Sequence, residues 1–435
     1  MALAISMFVL ASAGIFASTL FDLKIRIGKI GISLYWIFPL IVAIVLLATG
    51  GVDAKDVWQE FTSNTAMNPL KILVLFLSMT GLSVYLDEIG FFRRLANSTL
   101  KKAGTSQKKL FLLLYIVTSV LTVFTSNDVI ILTFTPFICY FAKNCDVDPV
   151  PYIFTEFVAA NTWSMLFVIG NPTNVYLATT YGITFAQYFK VMAIPTVFAG
   201  ICSFAILYAT FAKKLAQPLK PHVEEMKIED KPCLVIALVA LGICTIMLAI
   251  SSYIGIEMWT VSLVACAGTL ILCSIVTLCQ KKSLLHVGKT IVRLPWQLVP
   301  FLLSTFIVVL ALADCGITQN FANSLQRTDC ALSFGTTSAL FANVINNIPM
   351  SVLYSKVLQS VGTQNLYSAL YATVIGSNLG ALLTPIGALA AIMWSAILKK
   401  HNVRFRFFDF VWRGFLVGVP TLLCAIAGLK LSLAF

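Results

Sequence analysis

The chain has 435 residues, 59% hydrophobic and 11% charged, with 30 Lys and Arg against 18 Asp and Glu and a formal charge of +12. Soluble domains carry about 25% charged residues, so this composition excludes a soluble enzyme and assigns an integral membrane protein. The basic excess falls in loops between apolar runs rather than on one face, which excludes nucleic acid as the partner and assigns the excess to membrane topology.

The first apolar run, 2–20, has no basic residue before it and Lys24, Arg26 and Lys29 after it. A secretory signal has the reverse flanks. Residues 1–31 therefore read as an extra span with its N-terminus outside. Spans at 32–49 (outward) and 69–86 (inward) follow, joined by a loop whose Asp53, Asp56 and Glu60 suit the outer face. The basic amphipathic segment 86–104, opening on Asp87 and Glu88, is expected to lie flat on the inner surface.

Residues 109–124 and 128–143 are short for spans, which need about 20 apolar residues. Together they predict a re-entrant hairpin (109–143) entering from inside, with Thr125, Ser126, Asn127 and Asp128 at its tip. A span at 152–180 is broken at Gly170-Asn171-Pro172-Thr173-Asn174, and 187–212 returns inward. The hydrophilic linker from 213 and the span 233–252 form a connecting unit, 213–255. The second half runs 256–279, 295–314, a surface segment 316–328, a hairpin 331–360 with Asn343, Asn346 and Asn347 near its tip, a broken span 366–398, and 408–433. Twenty-three of the 30 Lys and Arg then lie in five inner loops.

The same order thus occurs at 32–212 and 256–435, and the odd connecting span inverts the second copy. The predicted fold is an all-α polytopic membrane protein of about ten transmembrane helices plus two re-entrant hairpins in two inverted-topology repeats, an arrangement that places a substrate site at the repeat interface. Pro172 and Pro385, with Gly170 and Gly387, are the expected helix breaks, since Pro removes an N–H and clashes with the preceding turn. Irregular backbone at membrane depth is tolerated where it lines a cavity or is buried in protein. Asn161, Ser164, Asn171, Thr173, Ser377, Asn378 and Thr384 flank the breaks and join the tip residues as substrate or ion ligands. Half-helix N-termini there carry about half a positive charge.

An acid at bilayer depth costs about 2.5–3.5 kcal/mol on insertion scales and marks a functional site. Asp128 is accordingly the first proton-coupling candidate, with helix capping as its structural alternative, and Glu156 the second. Asp314 reads as a solvated cap. No residue has a catalytic role: Ser and Cys lack a His partner at depth. No metal site is expected, because His222, His286 and His401 lie in basic loops. The eleven Cys lie mostly inside apolar runs, where they read as small buried hydrophobes, with a Cys315–Cys330 pairing as the minor alternative. No phosphate-binding loop is present, so no cofactor is called beyond a proton or sodium gradient.

Leu86-Asp87-Glu88-Ile89-Gly90-Phe91-Phe92, Ser126-Asn127-Asp128, Leu294-Pro295-Trp296-Gln297, Asn346-Asn347-Ile348-Pro349, and Ile375-Gly376 through Thr384-Pro385-Ile386-Gly387 resemble the ArsB-type arsenite permease family. That family belongs to the ion transporter superfamily that includes divalent-anion:sodium symporters. The resemblance implies elevator-like export of arsenite or antimonite in exchange for protons. It also implies a location in the plasma membrane, a homodimer and, as in some arsenite pumps, an ATPase partner subunit. It places Asn127 and Asp128 in one half-site and Asn346 and Asn347 in the other. The chain departs from the family pattern where Asn161 and Asn378 stand in place of acids, which leaves Asp128 as the single acid of the site. Ion-coupled transport of small carboxylates or inorganic oxyanions, and Na⁺/H⁺ exchange, remain open readings.

Overall fold

A computed structural model of the chain describes residues 2–21, 23–27, 30–64, 68–219, 230–251, 253–313 and 316–434. Helix α1 (Ala2–Leu20) leads into an antiparallel pair, β1 (Lys24–Ile27) and β2 (Ile30–Ser33). Next come α2 (Ile37–Ala48), α3 (Ala54–Thr62), α4 (Pro69–Glu88) and α5 (Phe91–Ala103). A hairpin of α6 (Gln107–Phe124) and α7 (Asn127–Asn144) precedes α8 (Val150–Trp163), a 3₁₀ turn at Val168–Gly170, α9 (Pro172–Thr180) and α10 (Phe185–Leu215). After α11 (Lys231–Ile250) the series repeats with α12 (Met258–Cys279), α13 (Leu285–Arg293), α14 (Leu298–Ala313) and α15 (Ile317–Leu325). It closes with α16 (Cys330–Ile345), α17 (Asn347–Leu358), α18 (Thr363–Leu379), a 3₁₀ turn at Gly380–Leu382, α19 (Leu389–Lys400) and α20 (Phe407–Leu433).

Each helix from α2 to α10 has its counterpart ten helices later, and the packing exchanges between copies. The pair α2 and α14 mirrors α4 and α12; α7 with α19 mirrors α9 with α17; and α10 packs along α20. The two halves of the chain are therefore interleaved rather than stacked end to end. Small residues permit close crossings: a Cβ at Gly376 of α18 would lie 2.4 Å from the Gly335 carbonyl oxygen of α16. Side chains this small let helix backbones touch where lipid supplies no hydrophobic drive.

Caps set several boundaries. Asn68 accepts from the Leu70 and Lys71 N–H groups to start α4, and Ser106 accepts from the Lys109 N–H to start α6, each satisfying donors that the first helical turn leaves free. Among the described residues, seven helices are long and apolar enough to cross a membrane, with α1, α2 and α16 as shorter apolar helices.

Four expectations change. The span expected at 32–49 begins late, because residues 30–33 pair as strand; α2 alone is about 18 Å long at 1.5 Å per residue. The outer loop 51–68 contains α3, started by the Asp53 carboxylate accepting from the Lys55 N–H. Its counterpart α13 stands in a segment read as a basic loop. Asp87 and Glu88 end α4 rather than open the flat helix: Gly90, at φ 86°, breaks the chain before α5, and both carboxylates pair with Arg293 of α13, Asp87 at 2.8 Å. Asp314, Cys315 and His222 lie outside the described residues. Cys330 is a free thiol.

Candidate functional site

At the first hairpin tip, α6 ends at Phe124 and the Thr125 hydroxyl donates back to the Leu121 carbonyl at 2.7 Å. Ser126 is extended and precedes α7, yet its side chain caps nothing, and its buried hydroxyl has no hydrogen-bond partner among the described residues. Asn127 accepts from the Asp128 N–H at 2.9 Å and donates to the Asn161 Oδ1 of α8 at 3.1 Å. Asp128 is therefore in the first turn of α7, where the helix dipole favours negative charge, and not at the cap. It is 8% exposed, and no described group hydrogen-bonds its carboxylate.

Glu156 is fully buried on α8 and accepts from the Thr135 hydroxyl of α7 at 2.9 and 3.2 Å. Thr135 follows Asp128 by two helical turns, roughly 10 Å along the axis. The sequence placed Glu156 nearer the inner surface but did not find Thr135. A neutral hydroxyl in an apolar run carries no signal of its partner.

The second tip is tighter. Asn346 alone separates α16 from α17, at φ 73° and ψ 154°, a conformation nearly exclusive to glycine. Tertiary bonds hold it there: its amide donates to the Ile386 carbonyl at 3.1 Å, and the Asn347 N–H donates to the Gly387 carbonyl at 3.1 Å. Asn343 donates to the Gly380 carbonyl at 2.9 Å and accepts from Thr384 at 2.6 Å. A Cβ on Gly387 would come within 2.9 Å of Asn343 Oδ1, so glycine is needed there for close approach. Asn347 Oδ1 is buried without a partner among the described residues.

The broken helices lock together across the two copies. Asn378 accepts from Ser164 and from Asn171, both at 2.8 Å, and donates to Asn174 Oδ1 at 2.7 Å. Thr173 and Ser377 hydroxyls are 2.9 Å apart. Pro172 opens α9 rather than kinking a continuous helix; Asn171 caps it through the Thr173 N–H at 3.1 Å. Gly170 is required because a Cβ would strike the Ser164 carbonyl at 2.3 Å, and Pro385 lies in the turn between Leu382 and α19.

The candidate residues thus separate by whether they are satisfied. Ser164, Asn171, Thr173, Ser377 and Asn378 spend their hydrogen bonds on one another, with Asn174 as a member the sequence reading left out of the site. Asn343 and Thr384 are likewise paired. Ser126, Asn347 and, on α8, Thr162 keep buried polar atoms without partners among the described residues, and no described group hydrogen-bonds the Asp128 carboxylate. Unpaired buried polar groups cost about 1–3 kcal/mol each, so these residues near the tips and breaks mark the groups available to a ligand. No hydrogen bond among the described residues joins the two tips directly; the broken helices connect them.

Two clefts flank this centre at equivalent places in the copies. One, of about 660 Å³, lies between α3, α14, α15 and α17, where Lys356 pairs with Glu60 at 3.2 Å. The other, of about 420 Å³, lies between α4, α5 and α13 beside Arg293. No described group of three or more His, Cys, Asp and Glu is arranged to hold a metal ion.

Residues 29–367 match the family described as citrate transporter, CitMHS. Over 415 residues the chain is 25% identical to the arsenical pump membrane protein of Escherichia coli strain K12, covering 90% of this chain and 92% of that protein. The arsenical pump membrane protein of Yersinia enterocolitica is 24% identical, covering 93% and 95%. The crystal structure of the Alcanivorax borkumensis YdaH transporter, described as having an unusual topology, matches with TM-score 0.55 and 13% identity, covering 92% of this chain and 98% of that one. That likeness speaks to fold alone.

Proposed function

The chain belongs to the citrate transporter family, CitMHS, and on that premise we propose that this multi-pass, ion-coupled membrane transporter exports arsenite or antimonite in exchange for protons by an elevator-like movement. One observation carries the choice of cargo: the only charge at the tips is a buried carboxylate, Asp128, and no described cation is buried beside it. Lys356, a buried cation, lies in the outer cleft against Glu60. Two like charges 4 Å apart repel by about 4 kcal/mol at an effective dielectric of 20, which disfavours a polyanion next to Asp128. A neutral trihydroxy solute meets no such penalty and matches Ser126, Asn347 and Thr162, which offer hydroxyl and amide groups able to donate and accept.

Asp128 is the proton carrier in this reading, and Glu156 with Thr135 is the relay toward the inner face. Residues 32–212 and 256–435 act as the repeats, α11 joins them, and the two clefts are the alternate approaches. The relatives named arsenical pumps support the cargo. The location (plasma membrane, N-terminus outside), the homodimer and an ATPase partner subunit belong to the same proposal.

A second reading, sodium-coupled carriage of small carboxylates, is favoured by the family's description and by the N-termini of α7 and α17 at the tips. A sodium ion on Asp128 would cancel its repulsion. Uptake into inverted vesicles separates the two. Arsenite accumulation driven by a pH gradient, without sodium and unaffected by citrate or succinate, is expected. A sodium requirement or block by citrate would replace the first reading with the second.

A further inference from the structure

Cys233 and Cys273 stand 40 residues apart in sequence, yet their thiols meet where α4, α11 and α12 pack together, 1% and 0% exposed. Cys233 Sγ lies 3.8 Å from the Cys273 carbonyl oxygen, and Cys273 Sγ lies 3.8 Å from the Cys233 carbonyl oxygen. The Tyr85 hydroxyl of α4 lies beside both thiols. Thr277 Oγ1 is 3.7 Å from Cys233 Sγ. Two sulfurs and two hydroxyls thus converge from three helices. The place is not isolated from water: the inner cleft reaches Asp230, whose carboxylate accepts from the Cys233 N–H at 3.2 Å.

We propose that Cys233 and Cys273 form a dithiol site that captures a thiophilic trivalent metalloid hydroxide, arsenite or antimonite, from the inner cleft. Sulfur donors select soft, thiophilic centres over hard cations and carboxylates. In the capture step two S–H bonds and two bonds from the metalloid to hydroxyl break, and two bonds to sulfur form. The two thiol protons leave with the two hydroxides as water. The metalloid stays trivalent, so no oxidant or reductant is needed, and its remaining hydroxyl faces Tyr85 and Thr277. The site lies on α11 and α12, apart from both hairpin tips, and depends on thiol chemistry rather than on the transported cargo.

The test uses the full-length protein in detergent, with Cys202→Ser, Cys424→Ser, Cys244→Ser and Cys266→Ser removing two other sets of neighbouring thiols. Arsenite is added alone, and arsenic content and titratable thiols are counted. One arsenic per chain, loss of two thiols and release by excess small-molecule dithiol are expected. Cys233→Ala and Cys273→Ala should each weaken capture by more than about a hundredfold, since the second thiol acts as an intramolecular partner. Unchanged elution and melting of each variant would separate lost capture from lost folding. Undiminished capture in either variant, no capture in the parent, or a disulfide that forms without arsenic uptake would overturn the proposal. Binding without any gradient keeps this outcome independent of whether the chain exports arsenite or carries carboxylates.

Discussion

At the first hairpin tip the chain turns through Thr125 and Ser126, and its Asp128 carboxylate and Ser126 hydroxyl have no hydrogen-bond partner among the described residues. At the second it turns through the single residue Asn346, whose amide donates to the Ile386 carbonyl while the Asn347 N–H donates to the Gly387 carbonyl, with no charge present. The same supersecondary unit is therefore charged and loosely tied in one copy, neutral and tightly tied in the other. The fold supplies the geometry twice, and point differences set the two tips apart: under the proposed function one takes a proton or cation, the other a polar solute.

The largest expected effect comes from erasing the charge difference. Asp128→Asn should reduce gradient-driven arsenite uptake more than about a hundredfold, since a group acting as proton carrier is lost outright; wild-type uptake in the variant would remove the charge from the comparison. Glu156→Gln keeps the Thr135 contact and should slow uptake by about tenfold with its pH profile shifted. A loss equal to that of Asp128→Asn would mean the two acids act as one unit.

The tightness of the second tip can be read from stability. Asn346→Ala removes the bond to Ile386 and keeps the unfavourable φ, and should cost about 2 kcal/mol in unfolding, whereas Asn346→Gly relieves the backbone and should cost less. Equal losses would show that the backbone there is not strained.

The smallest effect lies at the outer end of the second hairpin. The Lys430 ammonium and the Leu332 N–H hold the Asp329 carboxyl below its usual range. Its folded pKa is depressed, so its contribution is present above the unfolded pKa and disappears as pH falls through the folded value. Both side chains are about half exposed, so the pair is worth under about 1 kcal/mol. Melting of Lys430→Ala against wild type at neutral and acidic pH should converge in acid.

Both hairpins and both breaks were readable because a polar residue within an apolar run is costly in lipid and therefore stands out against its neighbours. Thr125 to Asp128 and Asn346 to Asn347 emerged from that contrast alone. The helices α3 and α13 did not, since short amphipathic turns in loops resemble ordinary polar connectors. Nor did the reversal of Asp87 and Glu88 from opening one helix to closing another, which depends on Arg293 arriving from 205 residues beyond Glu88.

Hydropathy and residue order by themselves determined the membrane class, the two helical hairpins, and the residues at the turns, because each of these is a cost charged locally to a side chain in lipid. Which of those residues are consumed by one another, and which sulfurs meet, was decided by tertiary structure. Hydrogen bonds such as Ser164 to Asn378, and the Cys233–Cys273 contact, join groups distant in sequence, and their pairing follows from helix packing that no single segment encodes.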